Sequence, residues 1–571
     1  MNFDIRYVPF SRYGSYFSLS YISKEVWGKD YKVNKEGLYL RTLHGNAKQK
    51  EIFLLEPIKK NGVKMDFKIE NSPEVVKLKT SEGEIKICIP DPDTVRIVGS
   101  TGIKLSLENS HSFLIPIDSK KNNWLLNFYG GGFQAVISVK SGILNLNAPW
   151  TGTTCSKIEL NIFPKKEDFE ILIKEVDENE DCNNKFKIKE SFDESVKTIR
   201  KEFEEFLEKL PQISNELLQQ FHLAGYILWS SVVKPHGFLK RPAVLMSKNW
   251  MTDLWSWDHC FNAIALSYKN FDLAWDQFMV IFDSQNNIGA VPDYINDYEQ
   301  FWNFIKPPIH GWTFKKLLEN MYIEPDKLKD AYDCLSALTN WWLKCRDYDG
   351  DGIPQYNHGN DSGWDNSTVF IERPPIESPD LSAFLIIQMD TLSEIAKKLG
   401  DAEKIKYWKS KSDELYKKFL EHFLVDDRLV PKISGDHKVI DSKSLLPLIS
   451  LILGKRLPEK VTKKAIEILV TDYLTNFGLA TESPKSKFYN PDGYWRGPIW
   501  APSTLLMIEA LKQLKRNDLV FELSKRFIEL IKKGGFAENF NALTGEGLRD
   551  RAHTWTASTF LIIAKEYYTN L

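Results

Sequence analysis

The segment that tells most about the architecture of this protein is 378–423, which reads SPDLSAFLIIQMDTLSEIAKKLGDAEKIKYWKSKSDELYKKFLEHF. Its apolar residues recur with the 3.6-residue period of a helix, and the pattern predicts two helices, 379–399 and 401–423. Residues 378–380, Ser-Pro-Asp, are typical of a helix start. The predicted helices are joined by Gly400 alone, and a link this short joins antiparallel neighbours. The segment is therefore predicted to be a helical hairpin.

The helical period extends on both sides of this hairpin, from Ser214 to the C-terminus. Twelve helices are predicted, at 214–233, 255–269, 271–285, 309–321, 325–346, 379–399, 401–423, 441–453, 458–470, 503–515, 517–533 and 554–568. Connections after the even-numbered helices are short. Those after the odd-numbered helices are long, at 234–254, 286–308, 347–378, 424–440, 471–502 and 534–553.

Six such hairpins closed into a ring form an (α/α)6 barrel, in which all six long connections lie at one end. Functional residues concentrate on loops that a rigid scaffold holds, so we expect the functional site at that end. The alternative is an open solenoid of helical pairs, but the sequence has no repeat of fixed period to support it.

Residues 1–190 are predicted to form an antiparallel β-sandwich. Runs such as 84–89, 94–98 and 133–139 alternate in polarity or are β-branched, and Gly, Asn, Asp or Pro bounds them. The three glycines 130–132 lack the Gly-Lys-Ser/Thr ending of a phosphate loop, which favours a hairpin or bulge over a nucleotide site.

A charged stretch, 165–189, follows, and its second half has the composition of a solvated linker. Residues 190–210 are predicted to form a connecting helix. The predicted organisation is thus a β-sandwich domain at 1–190, a linker helix at 191–213 and a catalytic barrel at 214–571.

Composition excludes several classes of protein. Lys and Arg number 75 against 77 Asp and Glu, for a net charge of −2, which lacks the basic excess of a nucleic-acid-binding protein. The longest apolar run, 445–453, is far shorter than the roughly 20 residues that span a bilayer. We expect neither a nucleic-acid nor a membrane partner.

Localisation is predicted from two further features. The first residues, MNFDIR, do not resemble a secretory signal. The cysteines at 88, 155, 182, 260, 334 and 345 form no C-x-x-C pair, which indicates reduced thiols in a cytoplasmic protein without a disulfide framework or a zinc site.

Tryptophan is abundant and unevenly placed. Of 17 tryptophans, all but Trp27, Trp124 and Trp150 follow residue 200. The predicted long connections hold Trp250, Trp255, Trp302, Trp364, Trp495 and Trp500. Aromatic faces can stack on the apolar faces of sugar rings, although a bulky aromatic core explains any single one of them equally well.

Carboxylates accompany these tryptophans. Asp258 follows Trp255 and Trp257 and could be a first-turn acid that favours the helix dipole or an acceptor for sugar hydroxyls. Asp365 lies between an aromatic residue and an amide, a setting able to raise a carboxyl pKa. Glu538 has no basic residue within four positions. Many other loop carboxylates remain candidates. The sequence pattern therefore indicates the region of the site but does not identify the two catalytic carboxylates.

Four motifs resemble those of glycoside hydrolase family 63. They are W-x-W-D at 255–258, S-G-W-D at 362–365, Y-W-R-G-P-I-W at 494–500 and E-N-F-N-x-x-T-G at 538–545. The trehalases of family 37 and the glucosylglycerate and mannosylglycerate hydrolases are similar. The motifs occur in the family's order and together are specific.

The resemblance implies an inverting α-glycosidase on an (α/α)6 barrel. Asp365 matches the family's general acid and Glu538 its general base. The residues that match its sugar-binding subsite are Trp255, Trp257, Asp258, Trp364, Trp495, Arg496 and Trp500. In inverting enzymes the two carboxyl groups stand about 6.5–9.5 Å apart, one to protonate the leaving oxygen and one to activate water.

The expected substrate is short. A closed subsite ringed by long loops favours exo-action on α-linked glucosyl di- or oligosaccharides over cleavage of polymer starch. Lys306 and Arg373 could meet the carboxylate of a charged aglycone such as glycerate. The chemistry needs no cofactor.

Residues 347–352, Asp-Tyr-Asp-Gly-Asp-Gly, resemble the start of a calcium loop, with Asp347, Asp349 and Asp351 as the candidate ligands. Some family 63 members hold calcium in a similar segment. The twelfth position would be His358 instead of glutamate, so a simple Asp/Gly turn is the alternative. His259 and His358 lack ligand-like spacing, and no zinc site is expected.

Two other classes of function stay open. One is a sugar-binding protein that has lost catalysis, which the intact Asp365 and Glu538 argue against. The other is a different (α/α)6 enzyme, such as a phosphorylase, epimerase or lyase. Phosphorolysis would need an anion pocket in place of the base, and Glu538 favours water instead.

Overall fold

The N-terminal part of the chain folds into two antiparallel sheets. The computed structural model describes residues 1–27, 35–45, 50–108, 111–118, 122–176 and 188–568. Within them the sheets comprise β1 (Phe17–Ile22), β2 (Gly37–Thr42), β3 (Glu51–Ile58), β4 (Lys68–Ser72), β5 (Val75–Lys79), β6 (Glu84–Asp91), β7 (Thr94–Gly99), β8 (Gly102–Glu108), β9 (Phe113–Asp118), β10 (Asn123–Phe128), β11 (Phe133–Ser141), β12 (Ile143–Asn147), β13 (Lys157–Phe163) and β14 (Phe169–Glu175).

The strand order is β1-β2-β3-β8-β13-β12 in one sheet and β4-β5-β6-β7-β14-β11-β10-β9 in the other. Alternate residues of β13, Ile158, Leu160 and Ile162, are fully buried, so one face of this strand lies against the core. The β10–β11 hairpin turns through residues 129–132, and Gly132 takes φ +62° there. The predicted hairpin at the three glycines is confirmed.

The second part of the chain is helical. A short helix, α1 (Lys24–Trp27), lies among the strands, and α2 (Phe192–Glu208) connects the two parts. Apart from short 3-10 and π-helical turns, the remaining helices of the described residues are α3 (Leu218–Ser231), α4 (Asp258–Leu266), α5 (Phe271–Met279), α6 (His310–Asn320), α7 (Pro325–Cys345), α8 (Pro379–Lys398), α9 (Ala402–Phe423), a 3-10 helix (Leu446–Arg456), α10 (Glu459–Ile468), α11 (Ala501–Gln513), α12 (Asn517–Gly534) and α13 (Thr554–Ile563).

These helices close into a double ring. The inner ring is α4, α6, α8, the 3-10 helix, α11 and α13, each packed on the next, and α13 packs on α4. The partners outside them are α3, α5, α7, α9, α10 and α12. Every residue of the inner helices α4 and α13 is buried, whereas the outer helices α12 and α9 bury one stripe. The predicted (α/α)6 barrel beside an antiparallel β domain is confirmed, and the contact between α13 and α4 excludes an open solenoid.

The long connections meet at one end of the barrel and pair with one another through short strands. These are β15 (Val232–Val233), β16 (Ala243–Val244), β17 (Leu254–Trp255), β18 (Tyr294–Ile295), β19 (Gln300–Phe301), β20 (Ile376–Glu377), β21 (Leu424–Val425), β22 (Arg428–Leu429), β23 (Lys432–Ile433), β24 (Leu474–Thr475), β25 (Gly478–Leu479), β26 (Ile499–Trp500), β27 (Asn539–Phe540) and β28 (Gly547–Leu548). Three pairs, β17–β18, β20–β23 and β26–β27, each join two different long connections.

Two predicted helix boundaries are wrong for local reasons. The helix predicted at 255–269 begins only at Asp258, because Trp255 pairs with Tyr294 in a strand. The helix predicted at 441–453 begins at Leu446, with Pro447 in its first turn, and it is a 3-10 helix that is kinked at Gly454, where the backbone is not helical. Apolar periodicity cannot distinguish a tight helix from an α-helix in so short a run.

The domain boundaries stay a prediction, because residues 177–187 of the charged stretch 165–189, next to the predicted boundary at 190, lie outside the described residues. None of the described helices is long and apolar enough to cross a membrane. The five described cysteines are free thiols, and Cys182 lies outside the described residues.

Candidate active site

One buried lysine collects three carboxylates at the mouth of the barrel. Lys306 Nζ lies 3.0 Å from Asp293 Oδ1 and 3.7 Å from Asp365 Oδ1, and it donates to the Asn360 carbonyl at 2.9 Å. Asp258, at the first turn of α4, interacts electrostatically with Lys306 and with both carboxylates. The carboxylates come from α4 and from the connections 286–308 and 347–378. The predicted site residues Asp258 and Asp365 are therefore brought together.

A single ammonium cannot compensate three carboxylates, and the pKa values reflect this. Burial raises the pKa of Asp258 well above its usual range, and the neighbouring Asp365 and Asp293 raise it further. Burial raises the pKa of Asp293 to about 6 even though Lys306 opposes it. Burial also raises the pKa of Asp365 against the same lysine. Such a cluster retains a proton closer to neutral pH than isolated carboxyls do, as a general acid requires.

Glu538 lies just before β27, is 2% exposed and has its pKa raised to about 8. Burial is the main cause, and the charges of Asp550 and Asp365 add to it. The Glu538 N–H donates to the Asp550 carbonyl at 2.7 Å, and Asn249 donates to Asp550 Oδ1 at 3.0 Å. The charge of Asp365 is the smallest of these contributions, but it shows that the two carboxyl groups are close enough to influence each other.

A row of tryptophans runs from Trp364, the residue before Asp365, to the backbone of Glu538. The ring centroids of Trp364 and Trp495 are 4.6 Å apart, those of Trp495 and Trp500 are 3.9 Å apart, and those of Trp500 and Trp555 are 5.4 Å apart. The Trp555 indole N–H then donates to the Glu538 carbonyl at 3.4 Å. The row begins beside Asp365 and ends at Glu538, so it fixes one loop relative to the other.

These contacts change what the predicted tryptophans can do. Trp257, Trp364, Trp495 and Trp500 are at most 3% exposed. Trp495 stacks on both Trp364 and Trp500, so its faces are occupied by other indoles and not offered to a sugar. We correct the expectation of open stacking platforms for Trp495: its role in this geometry is to support the wall of the site.

Gly363 shows how tightly this wall is packed. It takes φ +73°, and a Cβ placed on it would lie 2.6 Å from the Trp257 ring. Both conditions require glycine here, which accounts for the Gly in the S-G-W-D motif.

Partly exposed aromatic residues form a second row on the connections 286–308 and 347–378. Tyr294 lies between Trp255, at 5.7 Å, and Phe301, at 5.0 Å, and Phe304 stacks on His358 at 4.9 Å. Of the predicted subsite tryptophans, Trp255 alone is partly exposed. Sequence analysis did not identify Tyr294, Phe301 or Phe304, because only tryptophans were counted as stacking residues.

Arg496 holds the acid-bearing loop. Its Nε–H donates to the Asn366 carbonyl at 2.6 Å, and the Trp495 N–H donates to Asn366 Oδ1 at 2.9 Å. The Asn366 amide donates in turn to the Gly493 carbonyl at 3.0 Å. Arg496 thus positions the residue that follows Asp365, and its contact with a sugar stays a prediction.

Several buried polar groups in these segments have no hydrogen-bond partner among the described residues. They are both amide atoms of Asn539, both ring nitrogens of His553, Asp258 Oδ2 and the indole nitrogen of Trp495. Buried polar atoms are rarely left without partners, so such a concentration is typical of a site that receives a polar ligand or water. Sequence analysis missed Asn539 and His553 because neither stands in an informative spacing.

The predicted calcium segment forms a turn that its own backbone satisfies. Asp347 accepts the N–H groups of Gly350 and Gly352, each at 3.0 Å, and Asp351 accepts that of Ile353 at 2.7 Å. Oxygens of Asp347, Asp349 and Asp351 lie within 4.8 Å of one another, which fits a cation. His358, at the twelfth position, stacks on Phe304 instead of completing the loop. Calcium binding stays a prediction.

Lys306 has a different environment from the one expected. The sequence suggested a loop cation free to meet an anionic aglycone. The lysine is 5% exposed and already contacts Asp293 and Asp365. It therefore tunes the carboxylates, and a glycerate carboxylate would need another cation.

Comparison with known proteins agrees with this site. The chain is 21% identical over 390 residues to the mannosylglycerate hydrolase MGH2 of Selaginella moellendorffii, covering 54% of this chain and 79% of the relative. It is 21% identical over 411 residues to the mannosylglycerate hydrolase of Rubrobacter radiotolerans, covering 55% of this chain and 90% of the relative.

Two solved structures share the fold. The mannosylglycerate hydrolase of family GH63 from Thermus thermophilus, in complex with glucose, is 18% identical with a TM-score of 0.50 and covers 59% of this chain and 98% of its own. A bacterial glucoamylase complexed with acarbose is 12% identical with a TM-score of 0.63 and covers 98% of this chain and 94% of its own. The second likeness includes the β domain, so the two-part architecture as a whole recurs.

A family model, the mannosylglycerate hydrolase MGH1-like glycoside hydrolase domain, matches residues 251–556, more than half of the chain. This range contains all four motifs and every predicted catalytic and sugar-binding residue. The chain therefore belongs to the MGH1-like glycoside hydrolase family and is a glycosidase.

Proposed function

We propose that this glycosidase is an inverting, exo-acting hydrolase of short α-linked glucosides, with Asp365 as general acid and Glu538 as general base. The observation that carries the proposal is that Asp365, in its cluster around Lys306, and the buried Glu538 are two carboxyl groups with raised pKa values on the long connections at one end of the barrel. Two carboxyl groups with raised pKa values, joined by a rigid tryptophan row, provide the acid–base pair that inversion requires.

The proposed step uses each group where it lies. The side chain of Asp365 is 31% exposed and can reach a glycosidic oxygen, to which it gives its proton as the C–O bond breaks. Lys306, 3.7 Å away, stabilises the carboxylate that forms. Glu538 takes a proton from a water molecule as the water oxygen bonds to the anomeric carbon from the opposite face. The proton then returns from Glu538 to Asp365 through solvent.

Sugar recognition is assigned to groups that are open or unpartnered. Trp255 offers a partly exposed ring, and Asp258 Oδ2 accepts no hydrogen bond from the described residues. A buried carboxylate that must pair with a sugar hydroxyl discriminates strongly against epimers, because the wrong sugar leaves it unpaired. We assign the same role to the amide of Asn539.

The five free described cysteines suit the cytoplasm, which we propose as the location.

A second candidate is hydrolysis of an α-glycosyl glycerate. It is favoured by the names of the relatives, mannosylglycerate hydrolases and a glucosylglycerate hydrolase from Mycolicibacterium hassiacum that is 30% identical over 83 residues. Lys306 is already occupied by carboxylates, so we assign the glycerate carboxylate in that case to Arg373, which is exposed and lies on the connection that carries Asp365.

The test is a panel of α-linked glucosyl disaccharides, mannosylglycerate and glucosylglycerate, with the first product followed by NMR. Inversion predicts that the β-anomer appears first. Preference for glucosyl disaccharides supports the first candidate, and preference for a glycosylglycerate, reduced by Arg373→Ala, supports the second. An α-anomer as first product would exclude inversion, and no cleavage of any glycoside would exclude the proposal.

The Glu538→Gln variant measures the background rate of hydrolysis in this assay, and Glu546→Gln is its matched control. Glu546 is an exposed glutamate on the same β27–β28 hairpin. The control should retain wild-type turnover. Equal losses in both variants would show that the hairpin, and not the buried carboxylate, is sensitive.

A further inference from the structure

A second group of ligand-type side chains lies apart from the Lys306 cluster and takes no part in the proposed chemistry. It comprises Asp351, Glu377, His422 and His437, each of which offers one nitrogen or oxygen within 4.8 Å of those of the other three. Asp351 and Glu377 come from opposite ends of the α7–α8 connection, His422 from the last turn of α9, and His437 from the connection after β23. Three chain segments therefore converge on one point.

The distances suit a small tetrahedral cation. His422 Nε2 lies 2.7 Å from Glu377 Oε2, and His437 Nε2 lies 3.6 Å from Asp351 Oδ2 and 4.0 Å from Glu377 Oε2. Tetrahedral zinc with ligands at about 2.0–2.2 Å holds neighbouring ligand atoms about 3.4 Å apart. The group brackets that spacing and needs only side-chain rotations to meet it.

Glu377 provides an independent observation that a ligand belongs here. Its side chain is 0% exposed, yet neither carboxylate oxygen accepts a well-aligned hydrogen bond from the described residues, although His422 and Ser434 are close enough to lower its pKa against the effect of burial. His422 Nε2 also has no hydrogen-bond partner there, although it is close to Glu377, so the nitrogen and the oxygen are not aligned as donor and acceptor. A fully buried carboxylate without hydrogen bonds is costly unless a cation accompanies it.

We propose that Asp351, Glu377, His422 and His437 bind a zinc ion. Imidazole nitrogens favour zinc over calcium and magnesium, which prefer all-oxygen sites. Two carboxylates and two neutral imidazoles carry two negative charges, so Zn²⁺ makes the group neutral and compensates the buried Glu377. The four ligands lie far apart along the chain and form no closely spaced motif, which is why no zinc site was predicted from the sequence.

Neighbouring polar groups define the competing arrangement. Asp349 Oδ2 lies 3.0 Å from His437 Nε2 and accepts the Gly435 N–H at 2.8 Å, and Lys418 donates to the Asp351 carbonyl at 2.7 Å. Without metal, His437 would donate to Asp349 as part of an ordinary hydrogen-bond network. With zinc, His437 turns its Nε2 lone pair to the metal, and Asp349 keeps its bond to Gly435.

The role of the ion is structural. It fastens both ends of the α7–α8 connection, which carries Asp365, to the α9–β23 segment, where β20 already pairs with β23. The ion does not contact the substrate, so its loss is expected to lower stability more than the rate of the chemical step. Failure of this proposal would leave the glycosidase proposal untouched.

The test uses the full chain, stripped with a chelator, reloaded with Zn²⁺ alone and dialysed. We expect about one zinc per chain by elemental analysis, a melting temperature several degrees above that of the stripped protein, and no such rise with Ca²⁺. Co²⁺ should give the visible absorption of a four-coordinate site. Reloaded wild-type protein that retains no zinc and shows no shift in melting would overturn the proposal.

Variants assign the ligands. Glu377→Gln and His422→Asn should each lose the bound zinc and the zinc-dependent rise in melting temperature. His111→Asn removes an exposed histidine of the β domain and should keep both. If the ligand variants fail to fold, the Co²⁺ spectrum of the wild type decides alone. Unchanged zinc content in a folded His422→Asn protein would contradict the assignment.

Discussion

Asp293 and Asp297 lie four residues apart on one connection, and their pKa values are shifted in opposite directions. Asp297 is 4% exposed, and His44, His236 and the Gly45 N–H surround it, at 3.0 Å for His236 and 2.9 Å for Gly45. Asp293 is 3% exposed and contacts Lys306 at 3.0 Å, an ammonium that it shares with Asp365. Burial opposes ionisation of both groups, but the hydrogen bonds from His236 and His44 hold the pKa of Asp297 below its usual range, while that of Asp293 rises to about 6.

Both aspartates are buried, so burial does not explain the difference. What distinguishes the structural Asp297 from the site residue Asp293 is how fully neighbouring donors and cations compensate the negative charge. His44 also contacts Glu175, and Tyr298 donates to the Gly132 carbonyl at 2.9 Å, so Asp297 belongs to a clamp between the β domain and the barrel. The clamp fixes the connection whose other residues, Asp293 and Lys306, enter the site. The same connection thus carries Asp297, whose charge is fully paired, and Asp293, which shares the charge of Lys306 with other carboxyl groups.

The largest expected effect is the loss of catalysis when Asp365 or Glu538 is replaced by its amide. Asp365→Asn and Glu538→Gln should fold normally and each lose about 10²–10⁴-fold in kcat/KM, the usual contribution of general acid–base catalysis. Stability should change little, because burial already favours the neutral form of each carboxyl group and the substituted amides are neutral as well. Steady-state kinetics and thermal melting measure both effects. Turnover close to wild type in either variant would remove that residue from the catalytic pair.

The next effect separates the two aspartates directly. Asp297→Asn leaves His44 facing one carboxylate fewer and should cost about 3–5 kcal/mol of unfolding free energy, the range for breaking a buried ion pair. Asp293→Asn should change stability much less but lower kcat/KM, because Lys306 then compensates Asp365 more fully and lowers its pKa. Denaturant unfolding and kinetics on both proteins make the comparison. Equal stability losses would show that the two environments are not distinct.

A third prediction uses the pH dependence of the clamp. Burial opposes protonation of His44, but Glu175 and Asp297 outweigh it and raise the pKa of His44 to about 9. A group with a raised pKa stabilises the fold fully below its unfolded value of about 6.5 and loses that contribution as pH rises through 9, here about 3 kcal/mol. His44→Asn should therefore melt well below wild type at pH 6, and the gap should close above pH 9. His111→Asn, at an exposed site, should show no such gap.

The activity profile should follow the coupled pair in the site. Activity needs one proton shared between Asp365 and Glu538, so it falls when the pair gains a second proton or loses the last one. Because the pKa of Glu538 is raised to about 8 and that of Asp365 is raised as well, the profile of kcat/KM should be bell-shaped with its alkaline limb near pH 8. An alkaline limb below pH 6 would show that the pair loses its last proton too early and would contradict the raised pKa values of the two groups.

How far the sequence could predict this molecule depended on whether the relevant pattern is local. The barrel was predictable because each helix shows its own period and loop lengths alternate, and the β domain because its strands alternate. Asp365 and Glu538 could be named only through a family resemblance, since neither differs locally from other loop carboxylates. The role of Lys306 and the clamp residue His44 were not recognised, because their partners lie far along the chain and only folding brings them together.

The smallest expected effect concerns a third set of carboxylates, Asp347, Asp349 and Asp351, which are partly or fully exposed. Backbone N–H groups already satisfy Asp347, so neither strain nor an unpaired charge demands a cation. Calcium should stabilise the fold by only about 1.4 kcal/mol at ten times its Kd, without altering kcat. Because Asp351 is shared with the proposed zinc group, the titration belongs in zinc-free Glu377→Gln protein, with Asp347→Asn as the paired variant. A calcium-dependent rise in melting temperature that Asp347→Asn abolishes would establish the site, whereas identical melting with calcium and with chelator would reduce the segment to a turn.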